Sequence, residues 1–168
     1  EVDVCCNNWA NSTLRAYLNS ELISTVVQCD VALISAVVDL TSDDGMTDYG
    51  QTEDYIFLLS ADQYRKYRKH IVNADAWWWL VTPWSCNSVY SHNIRGVNTG
   101  GTLGIYGASS GNHGVRPALV FDESVIEDDD NPAESSGADI KEIVEHTTKA
   151  IAELNEIKES IEDTYDMV

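Results

Sequence analysis

The stretch WWWLVTPWSCNSVYSHNIRGVNTGGTLGIYGASSGNHGVRPALVF, residues 77–121, combines two apolar ends with a long polar interior. Residues 76–80 and 114–121 are short apolar runs, a pattern that predicts buried strands. The interior, residues 85–113, is rich in Gly, Ser and Asn and contains no Lys, Glu, Gln, Met or Trp, whereas the other 139 residues contain 27 of these five types. We therefore expect a surface segment of unusual composition that is held between two rigid strands.

The three consecutive tryptophans cannot all lie on one face of a strand, because successive side chains alternate between the two faces. Trp77 and Trp79 are expected on one face and Trp78 on the other. We expect at least two of the indoles to be buried, so Trp77 and Trp79 are assigned a structural role. Pro117, near the start of the last strand, is also assigned a structural role and predicts an edge strand or a bulge.

The upstream sequence contains helix signals. Asn11 and Ser12 are candidate N-caps for a helix that ends at Leu18, and a second short helix is expected over residues 21–27. Ser60 is predicted to cap a further helix.

Strand signals separate these helices. Residues 32–40 are rich in β-branched side chains and residues 55–60 form a short apolar run, so both predict strands. The polar residues 41–54 between them predict a loop.

The charge of the chain is acidic and unevenly distributed. The net charge is −18, and residues 123–168 hold 15 acidic residues and three lysines. Nucleic-acid backbones and anionic membrane surfaces attract positive charge, and no apolar run reaches the length of a membrane-spanning helix. We expect neither a nucleic-acid partner nor membrane insertion.

A change in composition divides the chain into three parts. Residues 1–122 are expected to form one domain, residues 123–138 an acidic linker, and residues 139–168 an amphipathic helix. The helix has a seam at alternating four- and three-residue steps, which is the pattern of a coiled coil. Self-association is one interpretation; docking on the same domain or on a missing part of a longer chain is the other. The seam consists of Ile140, Val144, Thr147, Ile151, Leu154, Lys158, Ile161, Tyr165 and Val168.

The residue types that support catalysis or metal binding form no motif that we can identify. The cysteines Cys5, Cys6, Cys29 and Cys86 contain no CxxC pair, and both disulfides and free buried thiols are compatible with their spacing. The four histidines lack metal-ligand spacing, and residues 43–48 (DDGMTD) do not fit an EF-hand loop. We expect no catalytic residue, no metal and no cofactor, and we predict that the protein is not an enzyme.

Four motifs occur in a recognisable order. They are NNWANSTLRAYLN at residues 7–19, DYIFLLSADQY at 54–64, WWWLVTPWS at 77–85 and GVRPALVF at 114–121. In this order they resemble a domain family that is common in gut bacteria and their phages and has a C-type-lectin-like fold. The resemblance covers about residues 7–121. It implies an α+β domain with two helices and a mixed, mostly antiparallel sheet, to which the C-terminal helix is added.

The chain departs from the pattern of that family in two places. Members begin with an extra strand pair, whereas only EVDVCC precedes the first motif here. Val81 and Thr82 stand where the family motif W-W-L-R-S-P has Arg and Ser, so a role for that arginine is lost. The calcium signatures of sugar-binding C-type lectins are also missing from the sequence.

Members of the resembled family are frequent targets of diversity-generating retroelements, which copy a template RNA with errors at adenines. An AAC codon altered in this way cannot encode Lys, Glu, Gln, Met or Trp, the types missing from residues 85–113. The resemblance therefore implies a diversified ligand-binding surface; a plain irregular loop region is the alternative. The candidate ligand-binding positions are Trp84, Cys86, Val89, Tyr90, His92, Asn93, Arg95, Gly96, Gly104, Ile105, Tyr106, Gly107, Ser110, Asn112 and His113.

The composition of these positions is typical of a binding surface. Aromatic rings such as Tyr90 and Tyr106 supply rigid contact area, and Ser, Asn and Gly supply adaptable polar contacts, as in antibody paratopes. Arg95 is the only charged residue within residues 85–113. The sequence leaves two kinds of partner open for Arg95, a carboxylate of a ligand or a structural group of the domain itself. Arg116 is expected to be structural, bracing carbonyls or an acid beneath the loops.

The resemblance implies a hypervariable receptor-binding protein displayed on a phage particle, on a tail fibre or on the capsid surface. Its expected partners are a host cell-surface protein or glycan, other virion proteins, and further copies of itself, with a trimer formed through residues 139–168. The alternatives are a structural decoration or assembly module, a protein displayed on a bacterial surface, and a degenerate enzyme. Formylglycine-generating enzymes share the broader fold, but they need a cysteine pair close to their C-terminal motif. Cys86 has no neighbouring cysteine in the sequence that would complete such a pair.

Overall fold

The computed structural model describes residues 6–27, 33–87 and 89–121. Helical elements and antiparallel strands occur in separate groups along these residues, so the domain is α+β. The helical elements are a 3₁₀ turn at Trp9–Asn11, α1 at Thr13–Tyr17, a π-helical turn at Leu18–Leu22, α2 at Ile23–Val27, α3 at Ala61–Tyr67 and a 3₁₀ turn at Arg68–His70. The strands are β1 Leu33–Ile34, β2 Ala36–Asp39, β3 Gln51–Asp54, β4 Ile56–Leu58, β5 Trp78–Pro83, β6 Asn93–Val97, β7 Leu103–Gly107 and β8 Pro117–Phe121.

The described strands form three small sheets, where a single sheet was expected. Their orders are β1-β8-β4, β2-β3 and β5-β6-β7, and all named pairs are antiparallel. A parallel bridge between Trp78 and Gly114 joins the segment before β8 to β5. Because β1 and β4 both pair with β8, the last described strand lies between two strands from the first half of the described domain.

The predicted helix caps are confirmed at two positions. The Ser12 hydroxyl accepts a hydrogen bond from the Arg15 backbone N–H at 3.0 Å. Ser60 and Gln63 form a reciprocal capping box at the start of α3. Asn11 is not a cap, because it is the last residue of the preceding 3₁₀ turn. The two short helices expected before residue 28 are one helical segment, since the π-helical turn connects α1 directly to α2.

The Asp54 carboxylate connects the first helical segment to β3. It is buried, and it accepts hydrogen bonds from Trp9 Nε1 at 2.9 Å, Arg15 Nε at 2.8 Å and Thr52 Oγ1 at 2.6 Å. A buried carboxylate is stable when it has a cationic partner and when its oxygens are hydrogen-bonded. The Trp and Arg of the first motif therefore act together on a single acid 39–45 residues further along the chain.

Asn19 makes a second connection between the helical segment and the same corner. Its Nδ2 donates to the Ile56 carbonyl at 2.8 Å, and its Oδ1 accepts from the backbone N–H groups of Tyr55 and Ile56 at 2.9 and 3.1 Å. These bonds satisfy backbone groups of Tyr55, which lies between β3 and β4, and of Ile56, the first residue of β4.

The prediction of a loop over residues 41–54 is wrong for its last four residues. Residues 51–54 form β3, which pairs with β2 in the register Ala36↔Asp54 to Asp39↔Gln51. Polar composition hid this strand, because one of its two faces is exposed and the residue that faces inward is an acid. The strand predicted over residues 32–40 is also divided, into β1 and β2.

Two apolar clusters form the core. The larger one packs the helical segment against β2, β4 and β5, and it includes Trp9, Leu18, Leu40 and the fully buried Val81. The smaller one lies between α3 and the β5-β6-β7 sheet, and it includes Tyr64, Trp78, Leu80 and Val97.

The tryptophan strand supplies a side chain to each face, as alternation predicts. Trp78 is 2% exposed and its ring meets that of Tyr64 edge-on at 5.5 Å. Trp77 and Trp79 both contact the same two rings, so they share the other face. At least two buried indoles were expected; Trp78 is buried and Trp79 is half-buried, whereas Trp77 precedes β5 and is 38% exposed.

Pro117 is the first residue of β8. Of the two alternatives expected for it, an edge strand or a bulge, the edge strand is wrong for β8 as a whole, although β1 pairs only with the last two residues of β8 and so leaves Pro117 opposite β4 alone. β8 lies between β1 and β4, and Pro117 pairs with Leu58. A proline is tolerated in a central strand at its first position, where its missing N–H interrupts the ladder least. Arg116, the residue before it, donates to the Val72 carbonyl at 2.8 Å and lies over the Trp78 ring at 4.9 Å.

None of the helices within the described ranges is long and apolar enough to cross a membrane. The predicted linker at residues 123–138 and the predicted helix at residues 139–168 lie outside the described residues, as do Cys5 and Cys29.

Replacing Asp54 tests the importance of the buried carboxylate. Asp54→Asn is expected to lower the free energy of unfolding by about 3 kcal/mol, because the Arg15 guanidinium loses its counter-charge. Urea unfolding of the full chain measures this change. Asp62→Asn is the matched control, since Asp62 also pairs with an arginine but its side chain is 89% exposed; it should change stability by less than about 1 kcal/mol. Equal effects of the two substitutions would contradict the assignment.

Candidate functional site

Four aromatic rings gather on one face of the β5-β6-β7 sheet, and we call Trp77, Trp79, Tyr106 and His113 the aromatic platform. His113 stacks on Trp79 with ring centroids 4.0 Å apart and an interplanar angle of 21°. Tyr106 lies 4.6 Å from both Trp77 and His113. Aromatic pairs at such distances gain about 0.5–1.5 kcal/mol each beyond their buried area, so the cluster holds its rings in place.

Backbone pairing brings these distant residues together. In the β6–β7 hairpin Ile94 is opposite Tyr106, and on the neighbouring strand Trp79 is opposite Gly96. The segment that carries His113 is attached to β5 by two bonds through Gly114, whose N–H donates to the Trp77 carbonyl at 2.6 Å and whose carbonyl accepts from the Trp79 N–H at 3.1 Å. The platform therefore rests on three strands and on the segment before β8.

A cleft of about 440 Å³ adjoins the platform. Trp79 belongs to both the platform and the cleft. It forms one wall of the cleft together with Ile94 and Ala108, and the residues at the start of the first helical segment form the other wall. Asn11 and Thr13, at the start of that segment, are exposed. The cleft is mainly apolar, with polar groups along the helical wall, as in many ligand sites.

The candidate positions from the sequence divide by exposure. Val89, Tyr90 and Ile105 expose 64%, 50% and 40% of their surface, which is unusual for large apolar side chains. Exposed positions accept substitution readily, because few contacts are lost. The exposed set is Val89, Tyr90, Ile105, Ser110 and Asn112; the half-buried set is Trp84, Cys86, His92, Asn93, Arg95, Gly104, Tyr106, Gly107 and His113; Gly96 is buried.

The structure does not bring all of these positions onto one face. Tyr106 and His113 are in contact within the platform. Ile105 lies on the other face of β7, because neighbouring residues of a strand alternate. Tyr90 lies in the turn before β6, where its carbonyl accepts from the Asn93 N–H at 2.9 Å, and the carbonyl of His92 accepts from the Ala108 N–H at 2.8 Å.

Arg95 has a structural partner. Its Nη2 is 2.5 Å from Asp43 Oδ2, and its guanidinium lies 4.6 Å above the Trp84 ring. The side chain of Arg95 is only 15% exposed. Of the two roles left open by the sequence, the structure favours the structural one, because the charge is already compensated within the fold.

Asp43 is the centre of this ion-pair network, since Arg65 of α3 also approaches it at 3.3 Å. Burial alone raises the pKa of the Asp43 carboxyl, but the hydrogen bonds and charges of Arg95 and Arg65 outweigh it, so the pKa lies below its ordinary value. The network attaches the loop after β2 to both α3 and β6.

Cys86 also points toward this loop, not toward the platform. Its thiol is free and lies 4.0 Å from the Met46 carbonyl. Burial raises the pKa of the Cys86 thiol, so the thiolate is disfavoured at neutral pH.

Asn7 is a structural residue that the sequence did not reveal. It is 1% exposed, and its Nδ2 donates to the Asn93 carbonyl at 2.6 Å and the Ser85 carbonyl at 3.0 Å. Its Oδ1 accepts from the Tyr49 hydroxyl at 2.8 Å. One amide thus fixes both ends of the loop between β5 and β6, and nothing in the sequence signals this role, because its partners lie 42 to 86 residues further along the chain.

Metal-binding side chains are dispersed in the part of the chain that the structure covers. Among the described residues, no group of three or more His, Cys, Asp or Glu side chains is placed to hold a metal ion.

The comparison with known families gives one match. Residues 4–123 match the family model described as "Domain of unknown function (DUF6273)", which covers more than half of the chain. No curated protein and no solved structure matches the chain.

The Asp43 network should make stability depend on pH. Asp43→Asn is expected to lower the free energy of unfolding by about 2 kcal/mol near neutral pH, because two charged hydrogen bonds lose their acceptor charge. A carboxyl with a lowered pKa stabilises the fold fully above its unfolded pKa and loses this contribution as pH falls through its folded pKa. The difference between variant and wild type should therefore shrink in acid.

Urea unfolding at about pH 7 and about pH 2.5 measures this dependence. Asp75→Asn is the control, because Asp75 is exposed. A difference between Asp43→Asn and wild type that stays constant between the two pH values would contradict the expected linkage.

Proposed function

The chain belongs to the family described as "Domain of unknown function (DUF6273)", so its function has to be argued from its own residues, and we propose that it is a hypervariable ligand-binding protein. It is displayed on a phage particle, on a tail fibre or the capsid surface, and attaches the particle to a protein or glycan of the host surface. Its variable positions are diversified by a retroelement, and it is not an enzyme.

The aromatic platform is the observation that carries this proposal. Trp77 is 38% exposed although it contacts two other aromatic rings, so the cluster is ordered and accessible at the same time. Rigid aromatic groups make large contacts at a low cost in conformational entropy, which is why they are enriched where proteins bind other proteins. Exposed apolar residues that group together mark interaction sites more often than isolated ones.

The anchoring of the loops supports diversification. The loop between β5 and β6 is fixed at its ends by Asn7 and by the ion pair of Arg95, and these contacts use backbone carbonyls or residues outside the exposed set. Val89 and Tyr90 are 64% and 50% exposed, so a substitution at either position loses few contacts. Loops attached to a rigid scaffold can change sequence without loss of the fold.

The fold within this proposal is C-type-lectin-like. The pairing of β1 with β8, in the register Leu33↔Phe121, supports it, because the last described strand returns to a strand from the first half of the domain. The motif residues Trp9, Arg15 and Asn19 have defined structural partners, which supports the resemblance on which this assignment rests.

Oligomerisation through residues 139–168 is the second part of the proposal. The heptad seam of these residues is typical of a coiled coil, and we take a trimer as the form. Several copies of a weak site on one particle bind a surface with an avidity far above that of a single site.

Sequence variation among sibling copies of the gene tests the proposed function. We expect substitutions to concentrate at Val89, Tyr90, Ile105, Ser110 and Asn112, in codons that contain adenine in a template copy, with a reverse-transcriptase gene nearby. Trp9 and Asp54 serve as the framework comparison and should not vary. Sequencing the gene and its neighbourhood in many related phage genomes provides the measurement.

Substitutions spread evenly over exposed residues of the whole domain would contradict diversification. If the genes also encode no reverse transcriptase, the protein would be better explained as an assembly or decoration module without a host ligand.

Truncation tests the proposed oligomer. The full chain should sediment as a trimer in analytical ultracentrifugation, and a chain that ends at residue 122 should sediment as a monomer. Leu154→Lys places a charge in the seam and should also give the monomer. The control Glu153→Lys changes the charge at the adjacent position outside the seam and should leave the trimer intact. A monomeric full chain would contradict this part of the proposal.

A further inference from the structure

We infer that Gly96 and Gly104 are positioning residues for Tyr106: the lack of a side chain at both positions lets the Tyr106 ring lie on the sheet, and this pose sets the shape of the aromatic platform. The position of the Tyr106 ring is independent of the proposed function, and only its consequence for ligand binding rests on that function. Both glycines belong to the candidate variable positions, so the inference assigns them a different role from the exposed members of that set.

Gly104 leaves the space that the Tyr106 ring occupies. A Cβ built at Gly104 would lie 2.6 Å from Tyr106 Cζ and 2.7 Å from Cε2, and closer still to the hydroxyl oxygen. Real Cβ atoms do not approach other atoms so closely, so a side chain at this position requires the ring to move.

Gly96 is opposite Gly104 on the neighbouring strand and leaves space for another edge of the same ring. A Cβ at Gly96 would lie 3.2 Å from Tyr106 Cδ2 and 3.0 Å from the carbonyl oxygen of Trp78. The ring thus extends across two strands, and at Gly96 a side chain would also meet backbone that cannot move easily.

Neither glycine is required by the backbone conformation. The described glycines with positive φ are Gly45, Gly50 and Gly101, and each of those lies outside a strand. A glycine within a strand lowers its stability unless another group must approach closely. The close approach of Tyr106 therefore explains why two glycines are opposite each other in the β6–β7 hairpin.

The pose of Tyr106 determines the rest of the platform. Its ring contacts Trp77 and His113 at 4.6 Å and Trp79 at 6.3 Å, so it touches every other member. Burial raises the pKa of the Tyr106 hydroxyl, in agreement with a ring that is packed and not extended into solvent. If a side chain at position 104 displaced the ring, the exposed edge of Trp77 would lose its neighbour.

The inference predicts coupled sequence choices. An aromatic residue at position 106 requires glycine at positions 96 and 104, whereas a small residue at 106 relaxes this requirement at 104. Diversification of this part of the surface would then change the three positions together, unlike the independent changes expected at Val89 or Ser110.

A double-mutant cycle on the full chain tests the coupling without any ligand. Gly104→Ala is expected to lower the folding equilibrium constant about tenfold or more, which is about 1.4 kcal/mol, and to change the near-ultraviolet circular dichroism of the platform rings. Gly107→Ala is the matched control in the same strand, because its Cβ would meet nothing within 4 Å. It should leave the folding constant within about threefold of wild type.

In the Tyr106→Ala background, Gly104→Ala should cost no more than Gly107→Ala, since the clashing ring is gone. Gly96→Ala should keep part of its cost in that background, because the Trp78 carbonyl remains 3.0 Å away. This arm also yields a result if Gly104→Ala alone fails to fold. An equal cost of Gly104→Ala with and without the Tyr106 ring would overturn the inference.

The outcome is independent of the proposed function. A positive cycle in a protein whose sibling genes do not vary would leave the positioning role and refute diversification. A negative cycle in a protein whose sibling genes vary would refute the positioning role and leave the diversification in place.

Discussion

The buried carboxylate of Asp54 is the interaction on which the arrangement of this domain depends. It accepts from Trp9 and Arg15, and so it sets the first helical segment against the corner of β3 and β4. Asn7 lies two residues before Trp9, and its amide donates to the Ser85 and Asn93 carbonyls. The position of the loop between β5 and β6 is therefore linked, through the backbone between residues 7 and 15, to one acid in β3.

Alternation along β5 places its side chains in two different environments. The face that carries Trp78 and Leu80 packs against α3, where burial of apolar area stabilises the fold. The face that carries Trp79 supports the platform, whose rings are ordered by one another and not by complete burial. The two faces of one strand thus enter different clusters: Trp78 and Leu80 pack against α3, whereas Val81 lies in the larger core cluster and Trp79, which packs against that cluster, also belongs to the platform.

Local features could be predicted from the sequence, and features that depend on distant partners could not. Ser12 and Ser60 were predicted as caps because a cap bonds within three residues, and the two faces of the tryptophan strand follow from alternation alone. Strand β3 was missed because its pairing with β2 and the demand of Trp9 and Arg15 for an acid are invisible in its polar composition. Arg95 remained ambiguous for the same reason, since Asp43 lies 52 residues away.

The candidate positions consequently differ in what a substitution costs. At Val89 or Ser110 the side chain is exposed, and almost any residue is compatible with the fold. At Arg95 a neutral residue leaves Asp43 half-buried with only the more exposed Arg65 as partner, which lowers stability. Such a surface can vary widely only at its exposed positions, where a substitution loses few contacts. The number of sequences that the fold accepts is therefore set by these positions and not by the length of the segment.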